Sequence, residues 1–144
     1  MRNLLWLLLP GLTACAGTQP LEHFDRHGER QGRYRITYGS AGQQLLTRGR
    51  YRHGQAVGRW RYYRTTGTLE HRERYRRHGF SDITYYYPGG QVAYRGRART
   101  EEGPKGLHFY WFGDWNFYSP GGALDSVRLY QLGKYVSTRS VTKN

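Results

Sequence analysis

Polar and aromatic side chains alternate with a period of two along much of the chain. Between residues 59 and 62, arginine alternates with a tryptophan and a tyrosine, and arginine returns at every second position from residue 72 to 76. Successive side chains of a β-strand point to opposite faces, so this pattern predicts strands with one basic and one aromatic face. Gly67 lies between the two segments and supplies turn chemistry. The stretch predicts one β-hairpin.

The hairpin pattern recurs along the chain. Arg-His-Gly occurs three times, ending at Gly28, Gly54 and Gly79, which gives periods of 26 and 25 residues. Self-similarity at this period indicates a repeat architecture. Four hairpin units follow, the last widened by an insertion at residues 101 to 106, and their turn glycines are Gly42, Gly67, Gly90 and Gly122. The predicted fold is all-β: an antiparallel meander of stacked β-hairpin repeats in an open, twisted sheet.

The N-terminus is expected to direct export and lipid anchoring. Residues 1 to 14 hold an apolar run too short to span a bilayer as a helix, which fits a signal peptide. Leu12-Thr13-Ala14-Cys15 resembles the lipobox of bacterial lipoproteins, and Cys15 is the only cysteine, so no intrachain disulfide forms. The resemblance implies acylation of Cys15, and Ala16 after it implies the outer membrane of a double-membrane bacterium. The alternative is an uncleaved apolar N-terminus with a buried thiol.

The rest of the chain reads as one domain. Residues 15 to 22 are expected to form the lipidated cysteine and a tether, residues 23 to 134 the four-unit repeat domain, and residues 135 to 144 a terminal strand and tail.

The unit from Gly54 through Gly58, Trp60 and Tyr63 to Gly67 resembles the MORN-type repeats of the YwqK antitoxin-like family. The resemblance covers residues 24 to 134, although the third unit has serine and isoleucine where glycine and tryptophan would stand. It implies a β-hairpin array that is usually non-enzymatic. From this resemblance we take an expected fold but no expected activity.

Charge distinguishes one face of the predicted sheet. The formal net charge is +13, and arginines recur at matching distances after successive turn glycines, so they are expected to share one face. An anionic ligand would relieve the repulsion between them: anionic lipid, lipopolysaccharide or an acidic polymer. The alternative is a solvated face, softened by stacking on Tyr63 or Tyr86. The candidate ligand-binding residues are Arg33, Arg35, Arg48, Arg50, Arg52, Arg59, Arg61, Arg72, Arg74, Arg76, Arg95, Arg97 and Arg99.

The opposite face is predicted to be apolar and to form either the core or an interaction surface. Its expected members are Tyr34, Leu45, Trp60, Tyr62, Leu69, Tyr75, Val92, Tyr94, Trp115, Phe117 and Leu124.

No enzyme motif stands out, and the sequence indicates no catalytic residue, no cofactor and no metal site. His27, His53 and His78 are expected in turns, because equivalent positions of successive hairpins lie roughly 9.5 Å apart, too far to share one zinc ion. Glu101 and Glu102 are expected in a solvated loop.

The sequence therefore predicts a non-enzymatic, lipid-anchored envelope protein with a binding or scaffolding surface. An antitoxin or immunity-like protein that binds a protein toxin is the alternative. Nucleic-acid binding is less favoured, because no common nucleic-acid-binding module appears and export removes the protein from cytoplasmic RNA and DNA.

Overall fold

A computed structural model describes residues 22–39 and 44–141, and within these residues nine antiparallel strands form one open sheet. The strands lie in the sheet in the order in which they follow along the chain, so every connection is a hairpin. The predicted all-β hairpin meander is confirmed. The strands are β1 (Gly32–Tyr38), β2 (Gln44–Arg52), β3 (Gln55–Tyr63), β4 (Leu69–Tyr75), β5 (Phe80–Tyr86), β6 (Val92–Gly103), β7 (Gly106–Tyr118), β8 (Leu124–Gln131) and β9 (Lys134–Ser140).

Three turns of the same geometry lie at one end of the strands. In each, a glycine amide donates a 2.8 Å hydrogen bond to the carbonyl three residues earlier, and φ of the glycine is 84° to 87°. A turn that ends in a left-handed residue closes a three-residue hairpin loop, and glycine adopts that conformation without a Cβ penalty. These are the predicted turn glycines Gly67, Gly90 and Gly122. The fourth, Gly42, lies outside the described residues.

A histidine and a glycine form turns at the opposite end of the strands. His53 (φ 47°) and Gly54 (φ 70°) connect β2 to β3 directly, with both residues in the left-handed region that a two-residue type I′ turn requires. His78 (φ 59°) and Gly79 (φ 74°) lie in the short turn between β4 and β5. His27 lies in the turn before β1. The prediction that these histidines are turn residues is confirmed.

The hydrophobic core lies on the predicted aromatic face. Its centre is Ile83, Ala98 and Trp115, and five partly buried aromatic side chains pack around them: Tyr85, Tyr94, Trp111, Phe117 and Tyr130. Trp60 is buried further along the same face, where it contacts the rings of Tyr34, Tyr51, Tyr62 and Tyr75. A single sheet thus buries its apolar side mainly by packing rings against one another.

Two tryptophans lie directly over glycines of the neighbouring strand. A Cβ atom on Gly49 would overlap the indole of Trp60, and a Cβ on Gly96 would overlap that of Trp115. At both places the strand register shifts, which marks a β-bulge. The bulged strand carries a left-handed glycine two residues before the tryptophan, Gly58 (φ 68°) or Gly113 (φ 68°).

The predicted loop around Glu101 and Glu102 is wrong. The two residues lie in β6, where they face His108 and Leu107 of β7. Gly103 lies opposite Gly106, so the turn is confined to Pro104 and Lys105 and the insertion lengthens the hairpin instead of forming a loop. The predicted terminal strand corresponds to β9, whose side chains are all exposed.

Candidate functional site

The strand register brings arginines directly opposite one another on β1 to β4. Arg35 lies opposite Arg48, Arg48 also lies opposite Arg61, and Arg61 lies opposite Arg72. These four residues, which we call the arginine row, cross four strands with one guanidinium on each. Neighbouring strands are about 4.8 Å apart, so the row is roughly 14 Å long. Two further pairs flank it: Arg33 with Arg50, and Arg59 with Arg74.

These arginines form no ion pairs with acidic side chains of the described residues. Within the part of the chain that the structure describes, no arginine on β1 to β4 forms an ion pair with a carboxylate. Like charges directly opposite one another destabilise a sheet, here by roughly 0.2–1 kcal/mol per pair at low salt. The nine arginines of β1 to β4 without an ion pair are Arg33, Arg35, Arg48, Arg50, Arg52, Arg59, Arg61, Arg72 and Arg74.

Tyrosine rings support part of the basic face. Three guanidiniums lie over tyrosines that each precede a turn glycine by four residues. An exposed contact of this kind contributes about 0.5–1 kcal/mol. The predicted stacking on Tyr63 and Tyr86 is present. The distances from guanidinium carbon to ring centre are 5.9 Å for Arg48 and Tyr63, 5.6 Å for Arg72 and Tyr86, and 5.4 Å for Arg95 and Tyr118.

Two depressions lie between side chains of the basic face. A depression of about 690 Å³ lies over β1 to β3, and a second of about 390 Å³ lies over β3 to β5. Both are lined by Arg59 and Arg61, so the two depressions adjoin, and the second reaches Asp82 and Thr84. Together we call them the arginine groove. Its arginines are Arg33, Arg35, Arg48, Arg50, Arg59, Arg61, Arg72 and Arg74.

The remaining predicted arginines lie in a different setting. Arg76 pairs with Asp82 at 2.6 Å, and Arg99 pairs with Glu101 at 2.9 Å. Arg97 and Arg99 each lie 4.9 Å from the centre of a phenylalanine ring, Phe112 and Phe80 respectively. Arg52 is exposed at the end of β2, beside the His53-Gly54 turn. Arg76 and Arg99 therefore form ion pairs, whereas Arg97 contacts an aromatic ring, as Arg48 and Arg72 do.

Beyond β4 the arginine row is not continuous. The positions that continue it are Thr84 on β5, Arg95 on β6, Asn116 on β7 and Val127 on β8. Asp114 lies near the end of the sheet and accepts a 2.7 Å hydrogen bond from Arg139. The described part of the basic face thus divides into a half whose arginines form no ion pair with a carboxylate and a half in which Arg99 and Arg139 do.

The aromatic face carries a ladder of stacked rings, one on each strand from β3 to β7. Ring centres are 4.2 Å apart for Tyr62 and His71, 4.7 Å for His71 and Tyr85, 4.5 Å for Tyr85 and Tyr94, and 5.2 Å for Tyr94 and Phe117. Offset stacking of this kind adds about 0.5–1.5 kcal/mol per pair beyond area burial. The ladder joins successive hairpins and accounts for much of their cohesion.

Burial on this face alters tyrosine acidity. It raises the pKa of Tyr62 to about 12 and that of Tyr85 to about 12, because the phenolate would lose its hydration. Burial, reinforced by the Glu73 carboxylate, also raises the pKa of Tyr75. Sequence reasoning missed Glu73 and His71 as members of the apolar face. Their period-two spacing to Tyr75 was the available signal.

Two neighbouring turns, the one before β1 and the one between β2 and β3, bring potential metal ligands together. Side-chain ligand atoms of Asp25, Glu29 and His53 lie within 4.8 Å of one another. Asp25 Oδ1, however, accepts hydrogen bonds from the backbone amides of His27 (2.8 Å) and Glu29 (3.1 Å), which is how a short acidic side chain closes a turn. The cluster therefore has a structural explanation.

The predicted signal peptide and Cys15 lie outside the described residues. In the described ranges, no helix is both long and apolar enough to span a bilayer.

No protein-family model matches the chain, and a search of curated proteins finds no match. The resemblance to MORN-type repeats remains a prediction from the sequence.

Proposed function

We propose that the protein is a non-enzymatic, lipid-anchored component of a bacterial envelope whose arginine groove binds an anionic ligand. The observation that carries this proposal is the set of five Arg–Arg pairs directly opposite one another across β1 to β4, none of whose arginines forms an ion pair with a carboxylate of the described residues. A face built only for solubility would gain from mixed charges, since like-charge pairs reduce stability.

An anionic ligand would convert the repulsion into binding energy. Hydrogen bonds from a guanidinium to a carboxylate or phosphate are charge-assisted and frequently bidentate, which favours arginine over lysine at such sites. The groove presents eight guanidiniums to one ligand. Because they are largely exposed, the attraction weakens with salt.

The envelope location rests on the lipobox-like sequence that ends at Cys15. It is tested by the mass of the native N-terminus, with Cys15→Ala as the control. A diacylglyceryl group on Cys15, lost in the variant, supports anchoring. An unprocessed Met1 on a soluble protein contradicts it and moves a cytoplasmic ligand ahead of an envelope ligand.

Binding is tested with the full-length protein in an uncharged detergent, against phosphatidylglycerol vesicles, lipopolysaccharide and polygalacturonate at low and high salt. Salt-sensitive binding to at least one of them is expected. Absence of binding to all three contradicts the role of the groove.

An antitoxin or immunity-like function is the second candidate. Seven of the nine exposed large hydrophobic residues in the described chain lie between Leu107 and Val141, away from the arginine groove. Exposed apolar side chains at one end of a protein suit a protein partner. A stoichiometric companion that co-purifies from the native envelope, and is lost on substitution of Leu107 and Phe109, would favour this function.

A further inference from the structure

We infer that the ligand of the arginine groove is a linear acidic polysaccharide whose chain lies across β1 to β4, along the arginine row. The inference rests on the proposed function and specifies its ligand. It follows from the linear arrangement of the charges, the shape of the groove and the state of the nearby aromatic rings.

The charges form a line and not a cluster. Four successive strands carry one of these arginines each: Arg35, Arg48, Arg61 and Arg72. The side chains therefore extend from strands about 4.8 Å apart, and the line of charges runs perpendicular to the strands. A polymer with one anionic group on each monomer presents its charges in the same way. A single small anion would engage only one or two of the four.

The groove is bounded at β5. At β5 the row reaches Thr84, and Asp82 lies beside it, opposite both Arg74 and Arg97. The Asp82 carboxylate repels an anionic chain, although its pairing with Arg76 weakens that repulsion. A bound chain is therefore confined to the β1–β4 side.

The shape argues against a lipid bilayer as the ligand. The arginines line two adjoining depressions of about 690 and 390 Å³, and a planar bilayer surface would reach only their rims. A chain of sugars fits lengthwise. Arginines that bind a membrane surface would be expected to project from a convex or flat face.

The state of the tyrosines argues against single-stranded nucleic acid. Binders of that kind stack bases on free aromatic faces. Near the arginine row, Tyr63 and Tyr86 already lie under the guanidiniums of Arg48 and Arg72. Recognition by charge and hydrogen bonding remains, and carboxylated sugars provide both.

The test measures binding of oligogalacturonates of increasing length to the full-length protein in an uncharged detergent at low salt. Affinity is expected to rise steeply until the chain carries about four carboxylates, one for each arginine of the row, and then to level off. Galacturonate monomer is expected to bind at least about 100-fold more weakly, because it forms only one of the four contacts.

A pair of charge-matched variants locates the site. Arg48→Gln with Arg61→Gln removes two charges from the row, and Lys134→Gln with Arg139→Gln removes two charges from the distant strand β9. The first pair is expected to weaken binding about tenfold to 100-fold, because two charge-assisted contacts are lost. The second is expected to change it less than about twofold, by long-range charge alone. Thermal unfolding of both variants checks that they fold.

The outcomes separate the inference from the proposed function. Equal losses in the two variant pairs, or no dependence on oligomer length, overturn the inference. Salt-sensitive binding to phosphatidylglycerol vesicles without binding to oligogalacturonate, or tighter binding to single-stranded oligothymidylate of equal charge, also overturns it but leaves an anion-binding groove. Absence of binding to every probe overturns both.

Discussion

The two halves of the sheet share one scaffold. The N-terminal half, β1 to β4, places Trp60 over Gly49, and the C-terminal half, β5 to β9, places Trp115 over Gly96. Each tryptophan follows a left-handed glycine at a bulge, and the ring ladder continues from Tyr62 on one half to Phe117 on the other. The aromatic side is therefore repeated, as expected when each hairpin must bury the same face.

The halves differ on the opposite side. Arginines face arginines in the N-terminal half, whereas Thr84, Asn116 and Val127 interrupt the row in the C-terminal half. Folding needs account for the shared side but not for the difference, because the C-terminal half forms the same sheet without unpaired arginine rows. Folding therefore does not require the Arg–Arg pairs of the N-terminal half, and the proposed anion binding would give them a use.

The largest expected effect is the loss of a tryptophan. Trp115→Ala is expected to lower the free energy of unfolding by about 3–5 kcal/mol, and Trp60→Ala by less. Trp115 has 0% exposure, stacks on Trp111 at 3.6 Å and donates a 3.1 Å hydrogen bond from Nε1 to the Arg97 carbonyl. Trp60 Nε1 is buried and has no hydrogen-bond partner among the described residues. Urea denaturation measures both, and an equal or larger loss at Trp60 would contradict the ranking.

The two glycines beneath the tryptophans are expected to be comparably intolerant of a side chain. Gly49→Ala and Gly96→Ala should each cost about 1–3 kcal/mol, because the new methyl group displaces an indole. Gly103→Ala on β6 is the control, since its Cβ would approach only the Gly106 carbonyl oxygen at 3.8 Å. A cost at only one of the first two sites would break the equivalence of the halves.

The raised tyrosine pKa values predict alkaline destabilisation in both halves. Tyr62 and Tyr85 have a pKa of about 12 in the fold, against about 10 in the unfolded chain. The folded state then binds more protons between these values, so their stabilisation is complete below about pH 10 and is lost as pH rises toward 12. Unfolding measured across this window should show a smaller slope in Tyr62→Phe and in Tyr85→Phe. An unchanged slope in either variant would contradict the raised pKa of the tyrosine that it replaces.

The smallest expected effect concerns charge. Arg61→Gln removes a guanidinium that lies between two others and is expected to raise the free energy of unfolding by roughly 0.2–1 kcal/mol at low salt, with the gain fading at high salt. Arg97→Gln is the matched change in the C-terminal half. It should bring no gain, because Arg97 lies opposite Asp82 and over the Phe112 ring. Equal gains would remove the distinction between the halves.

Much of the sheet could be predicted because its signals are local. The period-two alternation fixed the faces, and the left-handed turn residues at Gly67, Gly90 and Gly122 fixed the hairpins. The shared face of the arginines followed from alternation and matched spacing alone.

Features that depend on register across strands could not be predicted. The contact of Gly49 with Trp60 requires a bulge that shifts the pairing between β2 and β3. The pairing of Asp82 with Arg76 and not with Arg74, its direct cross-strand neighbour, depends on side-chain rotamers. The loss of arginines in the last unit is visible in the sequence, but which arginine each aspartate pairs with depends on such rotamers and came from the structure.

NMR of the arginine Nε–Hε groups can show whether the arginine groove binds an anionic ligand, as proposed. Titration with oligogalacturonate is predicted to shift the signals of Arg48, Arg61 and Arg72 and to leave those of Arg128 and Arg139 unchanged. Shifts of equal size in all of these arginines, or no shift in the first three, would contradict the account.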